Sequence, residues 1–67
     1  LHDLYEIAIM GGQRLQICWH NGKTRRNEAF LPLDLQTADS AEWLLVENNR
    51  GGRLRIRLDW IQSIQPL

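Results

Sequence analysis

Glycine and proline divide this chain into segments that suit only short helices and strands. Glycine stands at positions 11–12, 22 and 51–52, and proline at 32 and 66. Both interrupt regular structure, glycine through its freedom at positive φ and proline through its missing amide hydrogen. With 67 residues, the chain is expected to form a single domain, residues 1–67, of one helix and several strands.

Residues 3–10 have the pattern of a short amphipathic helix. Asp3 is a favourable N-cap, and Glu6 follows three residues later, as in a capping box. The spacing of the apolar residues predicts a buried stripe of Leu4, Ile7 and Ala8. Gly11-Gly12 is expected to end the helix. Because two turns are not stable alone in water, the helix must pack on a sheet.

The next segments predict a hairpin. Residues 14–20 alternate, and their buried face is expected to consist of Leu15, Ile17 and Trp19. Asn21-Gly22 favours a type I′ turn, followed by a return strand from Lys23. That strand is polar to Glu28 and then has apolar residues at period two, Ala29, Leu31, Leu33 and Leu35. Pro32 cannot donate to a ladder, so an edge, a bulge or a sharp bend that splits this strand in two is expected there.

The second half predicts more short strands. A polar turn at 37–41 precedes a central strand at 42–48, which the helix is expected to cover, and a hairpin loop at 48–52. A strand at 53–58 points Leu54, Ile56 and Leu58 inward and its arginines outward, before a turn at 59–62 and a last strand around Ile64 and Leu67. The chain therefore predicts a mainly β fold with one N-terminal helix, a small bent antiparallel barrel of the Sm-like or SH3-like kind.

Composition narrows the functional classes. Eight basic and eight acidic residues give zero formal charge, which argues against a general nucleic-acid binder. A single cysteine fits a reducing compartment, and the longest apolar run, residues 7–10, is too short for a membrane span. A cytoplasmic protein is expected.

Catalysis and metal binding have little support in the sequence. Cys18 and His20 share a strand face, but no residue is evident that would orient them or form an oxyanion hole. His2, Cys18 and His20 lack the paired spacing of zinc ligands. We therefore expect a binding protein without enzymatic activity, cofactor or metal.

Two charged groups have alternative interpretations. Arg53, Arg55 and Arg57 form either a phosphate-contacting surface or a solvated sheet face paired with glutamates, Glu28, Glu42 or Glu47. The second is favoured because no aromatic platform is evident beside the row. Trp19 and Trp43 are expected in the core, and Trp60 is expected either to lie exposed in a turn or to pack on the helix.

The helix carboxylates also have two interpretations. Asp3 and Glu6 serve either as cap residues or as carboxylates for a basic partner.

Three motifs in order give a family resemblance. The opening His2-Asp3-Leu4-Tyr5-Glu6-Ile7-Ala8 resembles the HD-x-x-E-I-A start of the Rof family of Rho-binding antiterminators. Asn21-Gly22 and the run 42–47 follow, and residues 56–61 are similar to the family's IRLD-x-I ending. The resemblance spans nearly the whole chain.

The resemblance implies an Sm-like barrel that binds the termination factor Rho near its primary RNA-binding surface and blocks RNA loading. It implies a partner-binding role for Asp3 and Glu6, with His2 beside them, and for the loop residues Asp39 and Ser40. One alternative is an Sm-like RNA binder that uses Arg53, Arg55 and Arg57. Another is a WYL-type domain that senses a ligand or nucleic acid, but the HD-x-x-E opening favours Rof. The sequence does not indicate an oligomeric state.

Overall fold

The computed structural model describes residues 2–67, with the side chain of His2 outside the described part. The chain is mainly β with one helix, as predicted. The elements in chain order are helix α1 (His2–Gly11) and strands β1 (Leu15–His20), β2 (Arg25–Ala38), β3 (Ala41–Glu47), β4 (Arg53–Arg57) and β5 (Ile61–Pro66). A 3-10 turn, Leu58–Trp60, joins β4 to β5, so the predicted turn at 59–62 lies slightly too late.

The strands form one antiparallel sheet in the order β4-β3-β2-β1-β5, with β2 in the middle. Residues 25–30 of β2 pair with β1, and residues 31–38 pair with β3. The bulge expected near proline is confirmed, because the register shifts between Pro32 and Asp34. The strand is neither an edge nor split there: it runs without interruption from one half of the sheet to the other.

Helix α1 ends as its glycines predict. Gly12 has a φ of 65°. The Gly12 amide donates to the Ile9 carbonyl at 3.3 Å, and the Gln13 amide donates to the Ala8 carbonyl at 2.9 Å. This is the Schellman arrangement, which satisfies two carbonyls at the end of the helix. At the other end the prediction is wrong: the helix begins at His2, so Asp3 lies in the first turn and is not the N-cap.

The predicted buried stripe of the helix is also wrong, except for Ala8. Tyr5 and Ala8 are buried and Ile9 is half-buried, whereas three apolar residues face outward, Leu4 (57% exposed), Ile7 (67%) and Met10 (88%). Tyr5, Ala8 and Ile9 have the same i, i+3, i+4 spacing as the predicted set, and the tyrosine ring buries more surface than a leucine does. The helix packs against β2, although the sequence placed it over the strand at 42–48.

The core lies on one face of the sheet. Its strand residues are Leu15, Ile17, Trp19, Phe30, Pro32, Leu44, Val46 and Ile56. The face predicted for β1 is confirmed, and the Trp19 and Phe30 ring centroids lie 5.4 Å apart. The face predicted for the first part of β2 is wrong, because Phe30 and Pro32 are buried and Leu31 and Leu33 are only half-buried. The bulge leaves Leu33 without a ladder partner and returns Leu35 to the core side.

Two turns differ from their predictions. The Asn21-Gly22 segment is a loop of residues 21–24, in which the Asn21 side chain accepts hydrogen bonds from the amides of Lys23 (3.1 Å) and Thr24 (2.9 Å). The two-residue turn with positive φ at both positions lies instead at Asp39 (53°) and Ser40 (59°), between β2 and β3. That geometry is type I′ and matches the twist of the two strands.

No helix in the described part of the chain is long and apolar enough to cross a lipid bilayer.

Candidate binding surfaces

The outward side of α1 carries carboxylates and apolar side chains together. Asp3 and Glu6 are exposed and three residues apart, so they lie on neighbouring positions of the helix surface. Leu4 and Ile7 are exposed beside them. We call this set (Asp3, Leu4, Glu6 and Ile7) the helix face. Such a mixture of charge and apolar area suits docking to a protein.

A cavity of about 340 Å³ extends the acidic character of this region onto the sheet. It is lined by Glu6, Ile9, Met10, Asp34 and Leu35. Asp34 is exposed, and its Oδ1 accepts a hydrogen bond from the Leu35 amide at 2.9 Å. The sequence interpretation missed Asp34, yet a signal existed, because it is the one polar residue in the apolar run 29–35.

An apolar groove of about 350 Å³ lies on the other side of the helix. It is lined by Leu4, Ile7, Ala8, Gly11, Gln13, Leu15, Ile64 and Pro66. Leu4 and Ile7 therefore belong both to the helix face and to the groove beside β1 and β5. A partner that covers the helix face reaches apolar surface as well as carboxylates.

The loop residues Asp39 and Ser40 lie at the exposed tip between β2 and β3. Ser40 lines a cavity of about 500 Å³ together with Thr37, Ala41, Glu42, Arg57, Leu58 and Asp59. This cavity shares no residue with the one that Glu6 lines. Asp39 and Ser40 are thus accessible, as a partner-binding role requires, but they border the arginine side of the sheet. For His2, the structure describes no side chain.

The three arginines of β4 lie on the outer face of the sheet, as predicted. Arg53 forms an ion pair with Glu47 at 3.2 Å, which confirms one of the expected glutamate partners. Arg57 binds the Asp59 carboxylate with two hydrogen bonds of 3.0 Å. Arg55 makes a different contact: its Cζ lies 4.8 Å from the centroid of the Trp43 ring.

The placement of Trp43 in the core is wrong. It is half-buried on the outer face, because alternation along β3 places Leu44 and Val46 inside. Its indole N–H donates to the Ala38 carbonyl at 2.9 Å. Trp60 is also half-buried and packs against the core, so it is not exposed in the turn. Its ring meets Trp43 edge-on with the centroids 6.0 Å apart, and Arg57 lies 5.7 Å from the Trp60 ring. An aromatic platform therefore stands beside the arginine row, contrary to expectation.

Cys18 and His20 are each engaged elsewhere. The Cys18 Sγ lies 3.7 Å from Gln62 Oε1, and His20 Nδ1 accepts a hydrogen bond from the Gly22 amide at 3.1 Å. Neither contact joins the thiol to the imidazole. Among the described side chains, those of residues 3–67, no group of three or more His, Cys, Asp and Glu is arranged to hold a metal ion. Burial raises the pKa of the Tyr5 hydroxyl above its ordinary value of 10.0.

Comparison with protein-family models, with curated proteins and with solved structures gave no match.

Proposed function

We propose that this chain is a Rof-like inhibitor of Rho-dependent termination, which docks on Rho and blocks RNA loading at the primary RNA-binding surface. The observation that supports this proposal is the exposure of Asp3 and Glu6 on a helix whose opposite side is fixed by buried Tyr5 and Ala8. A helix anchored in this way presents its carboxylates at a fixed spacing, so little conformational entropy is lost on binding.

The chemistry of the helix face fits a partner surface that binds phosphate. A site with basic groups for RNA phosphates also attracts carboxylates, and charge-assisted hydrogen bonds to such groups are stronger than neutral ones. Asp34 adds a third carboxylate close to Glu6, since both line one cavity. The exposed Leu4 and Ile7 supply apolar contact area, which makes docking less dependent on charge alone.

We further propose that the bent sheet is a small, partly open Sm-like barrel and that the protein acts in the cytoplasm, where Rho acts. Two features support the barrel. The strand β2 pairs along its length first with β1 and then with β3. A single 3-10 turn leads from β4 at one edge of the sheet to β5 at the other.

The test is a binding measurement with purified Rho. Glu6→Lys is expected to weaken association with Rho about tenfold or more, equivalent to about 1.4 kcal/mol. It should also restore RNA loading and termination in a transcription assay. Glu28→Lys is the matched control, because Glu28 is exposed on β2 and the substitution changes the net charge equally.

Equal weakening by both variants would indicate a general charge effect and would refute the helix face as the docking site. Absence of any association between the unmodified chain and Rho would refute the function itself. Asp39→Lys, measured in parallel, tests whether the β2–β3 turn is a second contact.

A further inference from the structure

We propose that the outer face of β3, β4 and the 3-10 turn binds single-stranded RNA, at a site separate from the helix face. The residues that define this site, here called the Trp–Arg face, are Trp43, Arg55, Arg57 and Trp60. The inference is independent of Rho binding, since it rests on a different surface and on different residues.

The geometry of the Trp–Arg face is that of a stacking platform. The two indole rings meet edge to face at 6.0 Å, and guanidinium groups lie over them at 4.8 Å (Arg55 on Trp43) and 5.7 Å (Arg57 on Trp60). Nucleobases stack on aromatic rings and on guanidinium planes, without requiring a particular base. The hydrogen bond from the Trp43 indole N–H to the Ala38 carbonyl restrains the orientation of the ring, so the platform is present before a ligand binds.

The charges of this face fit a phosphate backbone. Arg55 is exposed and is held by a ring, whereas Arg53 and Arg57 are engaged by carboxylates. The Arg53–Glu47 pair has side chains 63% and 29% exposed, so it contributes little and can open to a competing phosphate. The Arg57–Asp59 pair has two hydrogen bonds, so it competes more strongly with a phosphate for its arginine. Arg55 is therefore the residue we expect to contact phosphate first.

An acidic protein segment is the competing occupant, since carboxylates also bind arginine. The two tryptophans favour RNA, because stacked bases use both the rings and the cations, whereas a carboxylate-rich segment uses only the cations. The acidic helix face repels a polyanion, so RNA is expected on the Trp–Arg face only.

The experiment titrates the whole chain with a fluorescently labelled oligouridylate, read by anisotropy and by quenching of tryptophan fluorescence. Arg55→Gln and Trp60→Leu are each expected to weaken binding on the order of 10-fold or more, as for loss of a stacking or phosphate contact. Arg26→Gln is the matched control, because Arg26 is an exposed arginine on β2 and the substitution changes the net charge equally. It should change affinity less than twofold.

Circular dichroism establishes that each variant is folded. If Trp60→Leu unfolds the chain, Arg55→Gln decides the question, because Arg55 is exposed and lies outside the core. Equal weakening by Arg55→Gln and Arg26→Gln, or no binding of the oligonucleotide at low salt, overturns the proposal. Binding of polyglutamate but not RNA, with sensitivity to Arg55→Gln, overturns it in favour of an acidic protein partner. Glu6→Lys, which tests the Rho proposal, is expected to leave RNA affinity undiminished.

Discussion

Arg55 lies over the ring of Trp43, 4.8 Å from its centroid, although the two residues are not paired in the sheet. In the register of β3 and β4, Arg55 is opposite Leu45 and Trp43 is opposite Arg57. The contact is therefore diagonal, between positions two residues apart on neighbouring strands, which long side chains can span. Because of this contact, the outer face of β3 and β4 presents an arginine packed on an aromatic ring and not a row of charges alone.

The end of α1 allows a test of backbone strain at two adjacent glycines. Gly12→Ala is expected to lower the free energy of unfolding by about 1 kcal/mol, because φ at Gly12 is 65° and alanine is strained there. Gly11→Ala is the control: a Cβ there meets nothing within 4 Å and φ is not positive. It should leave stability unchanged or raise it slightly. Urea denaturation measures both, and equal effects would contradict the assigned helix end.

Substitutions of two isoleucines on α1 test core packing and docking separately. Ile9→Ala is expected to lower the free energy of unfolding by about 1–2 kcal/mol, because Ile9 packs against the core. Ile7→Ala should change it by less than about 0.5 kcal/mol, since Ile7 is 67% exposed. If the helix face docks on Rho, Ile7→Ala should nevertheless weaken that association. The reverse order of stability effects would show that the helix packs with its other side.

Burial of Tyr5 predicts a loss of stability at alkaline pH. The pKa of Tyr5 is raised in the folded state, and in the unfolded chain it is about 10. The folded state therefore holds its proton to higher pH, so the free energy of unfolding falls as pH rises above about 10. Tyr5 is the single tyrosine, so the tyrosinate absorbance band reports its ionisation directly. Tyr5→Phe should abolish this part of the alkaline decline, and an unshifted absorbance titration would contradict the assigned burial.

The turn at Asp39 and Ser40 is expected to be strained. Ser40→Gly should raise the free energy of unfolding by up to about 1 kcal/mol, because φ at Ser40 is 59° and glycine adopts that value without strain. Ser63→Gly, at an exposed position of β5, is the control and should lower stability, since glycine weakens a strand. A thermal melt of each variant distinguishes the two. Destabilisation by both would show that relief of backbone strain at Ser40 is smaller than the entropy that glycine adds to the unfolded chain.

The sequence predicted the elements better than their faces. In β1 only one set of alternate positions, Leu15, Ile17 and Trp19, is entirely apolar, so the buried face of this strand was predictable. Helix α1 offers two apolar stripes, because nearly every residue from 4 to 10 is apolar, and only packing against β2 selects the one with Tyr5. In β2 both faces before the bulge are apolar, Phe30 and Pro32 on one and Ala29 and Leu31 on the other, so alternation alone did not identify the buried face.

The candidate sites were predictable to different degrees. Exposure of Asp3 and Glu6 follows from charge alone, and the outward arginines follow from the alternation in β4. The Trp43 platform was missed because large aromatic residues usually lie in cores. Alternation with Leu44 and Val46 indicated the correct face. The closeness of Glu6 and Asp34 depends on how the helix lies on β2, which is tertiary information.

Strand β2 is shared by the two halves of the sheet, and this affects how the domain unfolds. It supplies the pairing surface of β1 through residue 30 and of β3 from residue 31, and it also supports the helix. If β2 detaches, β1 keeps only β5 as a hydrogen-bonded neighbour and β3 keeps only β4, so the sheet divides into two separate strand pairs. We expect amide protons on both sides of residue 30 to exchange with one common free energy of opening, equal to that of global unfolding.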